Sequence, residues 1–292
     1  MRRRLTWVDA FTDVPLSGNP CVVVFEADDV TVDQRIAFTK ETRLSECAFL
    51  QRTDEADFGV RYYTASGEIP MAGHPTIATI TALADSGLIV PGTGELSLEV
   101  GAGVLPITIE WEGDLPVGIA MRQFAPEFGR EYPISDIASL VGLVEEDFLD
   151  VPQTVSTGTP FLICPLVSHE ALRRVQLDEV ALRGFHDGGA DFFEPFLTSL
   201  GGATAEGDVF SRLILTPPEP PEDPFTGSAT GCMAAYLWSH GLIDQPRFVA
   251  EQGHWMDRPG RAEVEVLGPP DAIEGILVSG AGTVVMRGQV EL

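Results

Sequence analysis

Glu68-Ile-Pro-Met-Ala-Gly-His-Pro-Thr76 and Glu222-Asp-Pro-Phe-Thr-Gly-Ser-Ala-Thr230 share one pattern, Glu-x-Pro-x-x-Gly-x-x-Thr. The likeness continues in register through Leu83 and Leu237 to Gly87-Leu-Ile89 and Gly241-Leu-Ile243. Upstream, Gly18-Asn-Pro-Cys-Val-Val-Val24 is matched by Gly158-Thr-Pro-Phe-Leu-Ile-Cys164. Strand-rich stretches, Glu95–Trp111 and Phe248–Val266, follow the two copies. Matches in the same order indicate two similar halves. In this alignment His74 faces Ser228 and Ile69 faces Asp223.

Hydrophobic patterning fits such a duplication. Apolar, β-branched runs predict strands at Thr6–Thr12, Pro20–Phe25, Cys47–Gln51 and Phe58–Thr64. Helices are expected over Val32–Thr42 and Pro75–Ser86. The second half repeats the theme with strands near Pro160–Val167, Val209–Leu215, Phe248–Gln252 and Arg261–Val266, around a helix Ala229–His240. Gly87 and Gly241 are suited to stop the two central helices. Gly275–Val278 and Thr283–Leu292 add strands, and the proline-bearing stretch Leu115–Ile134 is the expected crossover between halves. The expected fold is α+β: two pseudo-symmetric domains, each a mostly antiparallel sheet wrapped around a central helix. Residues 1–118, joined by a C-terminal strand at about 283–292, would form the first half, and 119–282 the second. The active-site cleft would lie between them.

Composition narrows the function. The 292 residues carry 44 acidic and 18 basic side chains, a formal charge of −26, with Lys40 the only lysine. Such a surface repels nucleic acid and anionic membranes. It suits high salt, where self-repulsion is screened, or it is the surface of an ordinary acidic protein. The near-absence of lysine favours salt. No apolar run reaches the roughly 20 residues needed to span a bilayer. In Met1-Arg-Arg-Arg-Leu-Thr-Trp-Val-Asp9 a charge arrives before any apolar signal region develops, so a cytoplasmic protein is expected. Cys21, Cys47, Cys164 and Cys232 lack metal or redox spacing and read as buried thiols. The histidines form no metal signature. No metal and no cofactor is expected.

The chemistry points to the two helix starts. The first turn of a helix leaves N–H groups unpaired and carries partial positive charge, which makes it an anion site. Gly73-His74 and Gly227-Ser228 supply one such turn each, and glycine lets a ligand approach the backbone. If the halves face each other, both starts converge on a carboxylate substrate or the enolate formed from it. Alternatively His74 and Ser228 are N-caps, a role serine favours and histidine does not. Asp223, held extended by Pro224, could shuttle protons in an apolar cleft or be a turn residue. Glu46, the only charge at the start of an apolar strand, is not distinguished by spacing from an outward-pointing glutamate.

Together these residues resemble the PhzF-like phenazine-biosynthesis family, within the diaminopimelate epimerase-like fold. The resemblance rests on Val8-Asp-Ala-Phe-Thr-Asp-Val-Pro-Leu-Ser-Gly-Asn-Pro20, Leu44-Ser-Glu-Cys-Ala-Phe49, Gly73-His-Pro-Thr76, Glu222-Asp-Pro-Phe-Thr-Gly-Ser-Ala229, and Glu251-Gln-Gly253 with Met256-Asp-Arg-Pro-Gly-Arg261. It spans essentially the whole chain. It implies a cofactor-free isomerase in which Glu46 is the main proton shuttle. His74, Asp223 and Ser228 would bind and polarise the substrate. Gly73 and Gly227, with Ser45 and Thr226, would form the anion-binding set. The resemblance also implies a homodimer. Cysteine-based epimerases of this fold place a catalytic cysteine just before each helix-start glycine. Here Ala72 and Thr226 stand there, so a two-thiol racemisation has no reagents. Arg43 stands where members of the family often carry asparagine, and it could steer an acidic substrate or pair with surface acid.

The leading expectation is therefore an isomerase acting on a small carboxylate of cyclic hydroxy-acid type by general acid–base proton transfer. The alternatives are a non-catalytic carboxylate binder that kept the fold, and a lyase or epimerase using the same glutamate. On the isomerase reading, activity survives chelator treatment and replacement of all four cysteines. Assays before and after EDTA, and on the cysteine-free variant, check this; loss on chelation would reveal a metal site that spacing does not show.

Overall fold

The computed structural model describes residues 1–292. Its apolar runs form β1 (Arg2–Ala10), β2 (Asn19–Val24), β3 (Cys47–Gln51), β4 (Phe58–Tyr63), β5 (Glu68–Ile69), β6 (Glu95–Val100), β7 (Gly103–Glu112) and β8 (Leu115–Gln123). Between them in the chain lie α1 (Val32–Thr42) and α2 (Gly73–Asp85). Then come β9 (Glu127–Glu131), α3 (Ile134–Val141), β10 (Gln153–Ser156), β11 (Pro160–Leu166), α4 (His169–Arg174), α5 (Glu179–Asp187) and β12 (Pro195–Leu200). The chain continues through β13 (Val209–Ile214), β14 (Glu222–Asp223), α6 (Gly227–Ser239), β15 (Arg247–Gln252), β16 (Gly260–Leu267), β17 (Gly275–Gly280) and β18 (Gly282–Glu291).

Strand pairing carries the duplication. β1 runs antiparallel to β2, β2 parallel to β3, β3 antiparallel to β4 and β4 parallel to β6. β6, β7 and β8 continue antiparallel. The series β10, β11, β12, β13, β15, β16, β17 repeats that order of directions strand for strand. β8 and β17, equivalent by this count, pair antiparallel with each other and form the seam. β18 returns to pair with β1 over its whole length. The result is the expected α+β fold with a mostly antiparallel sheet.

The central helices are apolar on every side, which marks a helix surrounded by structure. α2 is buried from Gly73 to Leu83 and α6 from Gly227 to Leu237. Ala, Gly and Thr dominate both, so the strands can close around them. Thr76 and Thr81 satisfy their hydroxyls on the helix backbone, at Ala72 O (2.7 Å) and Ile77 O (2.9 Å). The outer sheet faces are covered by α1, over Val22, Val24 and Phe49, and by α3, α4 and α5, over Leu162, Cys164 and Leu197.

Three expectations change. α2 and α6 begin at Gly73 and Gly227, two residues earlier than Pro75 and Ala229. Proline is tolerated anywhere in the first turn, where its missing N–H would have no helical partner. The stretch Leu115–Ile134 is not an irregular crossover: it holds β8 and β9, leaving only residues 124–126 between them. The expected boundary at 118/119 falls inside β8. Finally, β10, β12 and α3–α5 were not marked by the apolar pattern.

One side chain ties distant segments together. Arg258, between β15 and β16, donates to Asp9 Oδ1 (2.7 Å), Ser17 O (2.8 Å) and Gly18 O (2.9 Å). Asp9 is buried and also accepts from Leu16 N at 2.7 Å. Arg258→Ala strands that carboxylate and is expected to cost about 2–4 kcal/mol of unfolding free energy. Arg258→Lys, lacking the planar fork, should recover only part. Urea melts of the two variants decide this; wild-type midpoints would show that the clamp contributes nothing.

Candidate active site

The site begins with backbone. Ala72, which is extended, and Thr226 are the N-cap residues, and neither helix has a side-chain cap. His74 and Ser228 lie inside the first turn, so neither is an N-cap. The two first turns abut. A Cβ built on Gly73 would lie 2.8 Å from Gly227 Cα and 3.0 Å from Ser228 N. One built on Gly227 would lie 3.2 Å from Gly73 Cα and 2.8 Å from Phe11 Cζ. Only glycine fits at either position. Two positive helix ends thus face each other, with first-turn N–H groups that no helix carbonyl can satisfy.

A buried polar network surrounds this contact. Asn19, at the start of β2, points its amide nitrogen at His74 Nδ1 (3.0 Å), Asp223 Oδ1 (2.9 Å) and Phe225 O (2.8 Å). Thr226 Oγ1 donates to Asp223 Oδ2 at 2.6 Å. Gln252, ending β15, accepts from Thr226 N (3.0 Å) and donates to Asp223 O (2.7 Å). Glu222 is engaged separately, in a two-point pair with Arg212 (2.9 and 2.7 Å). Phe225 stacks on Phe11 with ring centroids 4.2 Å apart, closing the apolar floor.

Glu46 sits one residue before β3, its Oε2 3.7 Å from His74 Nδ1. The side chain is 21% exposed, yet Oε2 itself is buried without a hydrogen bond. Asn19 Oδ1 and His74 Nε2 are likewise buried and unpartnered. Such orphaned atoms cost free energy in a folded protein and mark a place where a ligand supplies the partners.

Enclosure sets the protonation states. Burial raises the Glu46 carboxyl well above its ordinary range, helped by the like charges of Asp223 and Glu219. Burial also lifts Asp223, to about 6, against the hydrogen bonds from Thr226, Asn19 and Ser45 that favour its ionised form. Burial lowers His74 to about 3, so the imidazole is neutral at ordinary pH. Cys47 and Cys232 are pushed up to about 11 by burial and stay thiols. A carboxyl whose burial favours the protonated form, near a neutral imidazole and two helix starts, can give and take protons beside a developing negative charge.

All eight residues read from the sequence, Glu46, His74, Asp223, Ser228, Gly73, Gly227, Ser45 and Thr226, gather here. The sequence patterns did not single out Asn19 and Gln252, although Asn19 is a lone polar residue opening an apolar strand and Gln252 ends β15 beside Glu251, each inside a motif already noted. No three His, Cys, Asp or Glu side chains converge as metal ligands. A groove of about 1110 Å³ lies elsewhere, along the C-terminal part of α2 and β18, and of the site residues reaches only Phe11.

Residues 8–288 match the family described as phenazine biosynthesis-like protein. An uncharacterized isomerase of Bacillus subtilis, YfhB, is 32% identical over 267 residues, 88% of each chain. The trans-2,3-dihydro-3-hydroxyanthranilate isomerase of Pseudomonas fluorescens is 30% identical over 288 residues, 98% of each chain. The crystal structure of a PhzF-family phenazine biosynthesis protein from Bacillus anthracis superposes over 100% of both chains with TM-score 0.87 and 26% identity.

Asp223 gives the site a pH signature. Its folded pKa, about 6, lies above the ordinary 3.8, so the folded state holds this proton more tightly than the unfolded chain. That stabilisation is full below pH 4 and is lost as pH rises through 6, a change on the order of 3 kcal/mol. His74 has the opposite sign: its folded pKa is depressed, so its contribution is present above 6.5 and lost as pH falls towards 3. The stability of wild type relative to Asp223→Asn should therefore decline between pH 4 and 6 in denaturant melts. Parallel curves would mean that Asp223 titrates as an ordinary carboxylate.

Proposed function

The chain belongs to the phenazine biosynthesis-like family, and we propose that it is an isomerase that moves a proton between carbons of a small carboxylate, with Glu46 as the shuttle. The observation that carries this reading is the Glu46 carboxyl, buried at Oε2, unpaired and raised well above its ordinary pKa by that burial, 3.7 Å from a neutral His74 at the junction of two helix starts. The substrate carboxylate lies against the N–H groups of Gly73, His74, Gly227 and Ser228. The ionised fraction of Glu46 removes a proton from a carbon of the substrate. The C–H electron pair becomes a new double bond as charge spreads toward the substrate carboxylate, where both helix ends stabilise it. A proton is then returned to another carbon, and the double bond has moved with no net redox change. Neutral His74 and the Asp223–Asn19–Thr226 set hold the substrate's polar groups. The two halves, the first running through β8 and joined by β18 and the second running from β9 to β17, act as opposing walls of the cleft.

The substrate class follows the curated relatives: trans-2,3-dihydro-3-hydroxyanthranilate or another cyclic hydroxy acid. In D₂O with that compound, the wild-type protein should place carbon-bound deuterium in the product, read by mass spectrometry. Glu46→Gln should reduce kcat by about 10³-fold. It should also leave Tm unchanged or raised, because it removes a buried unpaired acid. Product structure separates isomerase from lyase or epimerase, and a fully active Glu46→Gln removes Glu46 from the mechanism.

A further inference from the structure

The strand registers assign Glu46 a counterpart. In the first half Val22 of β2 lies beside Cys47 of β3, and in the second Leu162 of β11 lies beside Pro195 of β12. The repeat that aligns Pro20 with Pro160 aligns Val22 with Leu162, and therefore Cys47 with Pro195 and Glu46 with Glu194. The hairpins give the same answer independently. Cys47 faces Tyr63, which faces Glu68. Phe196 faces Leu213, which places Pro195 opposite Ile214, and Ile214 faces Glu222, the repeat partner of Glu68. Side chains alternate along a strand, so Glu46 shares a face with Ala48 and Leu50, and Glu194 with Phe196 and Thr198. Ala48, Leu50 and Phe196 belong to the core around the central helices, and Thr198 Oγ1 contacts Met233 Sδ of α6 at 3.1 Å. Both glutamates thus stand at the same end of the same strand, on the helix side, one in each half.

They also share an environment. Glu194 Oε2 is buried and unpartnered, as is Glu46 Oε2. Glu219 lies within electrostatic reach of both. It sits in the loop before β14 and accepts from Ser66 Oγ of the β4–β5 hairpin at 3.0 Å, so the two halves touch there. Burial, followed by the charge of Glu219, raises Glu194 to about 7. No salt bridge or hydrogen bond of its carboxylate accounts for a structural role.

Resting on the isomerase reading, we infer that Glu194 is a second proton-exchanging carboxyl of this cleft, acting from the wall opposite Glu46. One carboxyl serving two carbons must swing between them. With two, Glu46 takes the proton from the first carbon, the double bond shifts, and the Glu194 acid gives its proton to the second. Glu46 ends protonated and Glu194 ionised, and exchange with water restores both. Charge and atoms balance without any redox partner.

The test uses trans-2,3-dihydro-3-hydroxyanthranilate in D₂O with wild type, Glu194→Gln, Glu194→Asp and Glu46→Gln. A solvent-exchanging Glu194 puts close to one deuterium per turnover into the product. Glu194→Gln should lower kcat 10- to 100-fold, reduce deuterium incorporation because Glu46 then returns the substrate's own proton, and remove a kcat/KM limb near pH 7. Glu194→Asp should restore part of each. Unchanged kcat and deuterium content in Glu194→Gln overturn the inference, and so does a change confined to KM, which would make Glu194 a binding group. The carboxyl carbons of ¹³C-glutamate-labelled protein are read without substrate. A signal titrating near 7 that vanishes in Glu194→Gln supports the inference; a Glu194 signal titrating in the ordinary carboxylate range overturns it. Wild-type protein that neither turns over nor exchanges deuterium counts instead against the isomerase reading, a result distinct from an active Glu194→Gln.

Discussion

Everything at the centre of this molecule depends on two helices meeting N-terminus to N-terminus. Gly73 and Gly227 lie so close that neither could carry a methyl group without displacing the other's backbone. Like partial charges are thereby pressed together, and unpaired N–H groups are turned toward one point. The arrangement is unfavourable for the protein alone. It persists because both helices are wrapped along their whole buried length by sheet, and because Asn19, Asp223, Thr226 and Gln252 lock the segment before α6 through buried hydrogen bonds. An anion between the two ends relieves the repulsion, which is why the junction suits a carboxylate on which charge grows.

The enclosure that holds the helices also fixes the acids and bases. Removing water disfavours any charged form, so Glu46 and Asp223 move up and His74 moves down. The thiols of Cys21 and Cys47, close to Glu46 in the same core, are raised by the same desolvation. No exotic partner is needed: burial is the leading cause for every one of these groups. Stability is sacrificed here for reactivity, since orphaned atoms on Glu46, His74 and Asn19 weaken the fold where the chemistry lies.

The sequence made the two helix starts legible because glycine and the shared Glu-x-Pro pattern are local signals. The strands flanking them were legible for the same reason: apolar β-branched runs need no tertiary context. α2 begins earlier than Pro75 because a proline inside the first turn resembles a proline opening it. Leu115–Ile134 was misread because its prolines suggest irregular chain, whereas Pro116 sits at the start of β8, paired with Trp111 beside a bulge, where a strand tolerates it. Asn19 works through partners 55, 204 and 206 positions away, and Gln252 through partners 26 and 29 away on another strand and helix, and no spacing rule reaches that far. Glu194 was hidden more deeply. The residues around it share almost nothing with those around Glu46, and α4 and α5 occupy the place of α1, so only the strand registers reveal the equivalence.

The pairing of β1 with β18 has a consequence for how the protein is made. β1 is synthesised long before its partner over the full register Arg2↔Glu291 to Ala10↔Gly282. During synthesis one edge of β1 remains unpaired and open to the wrong strand, including that of a neighbouring nascent chain. Closing so distant a pair is slow. The dense negative charge of the chain then has a use before the fold exists, because it keeps unfinished molecules apart while the first strand waits for the last.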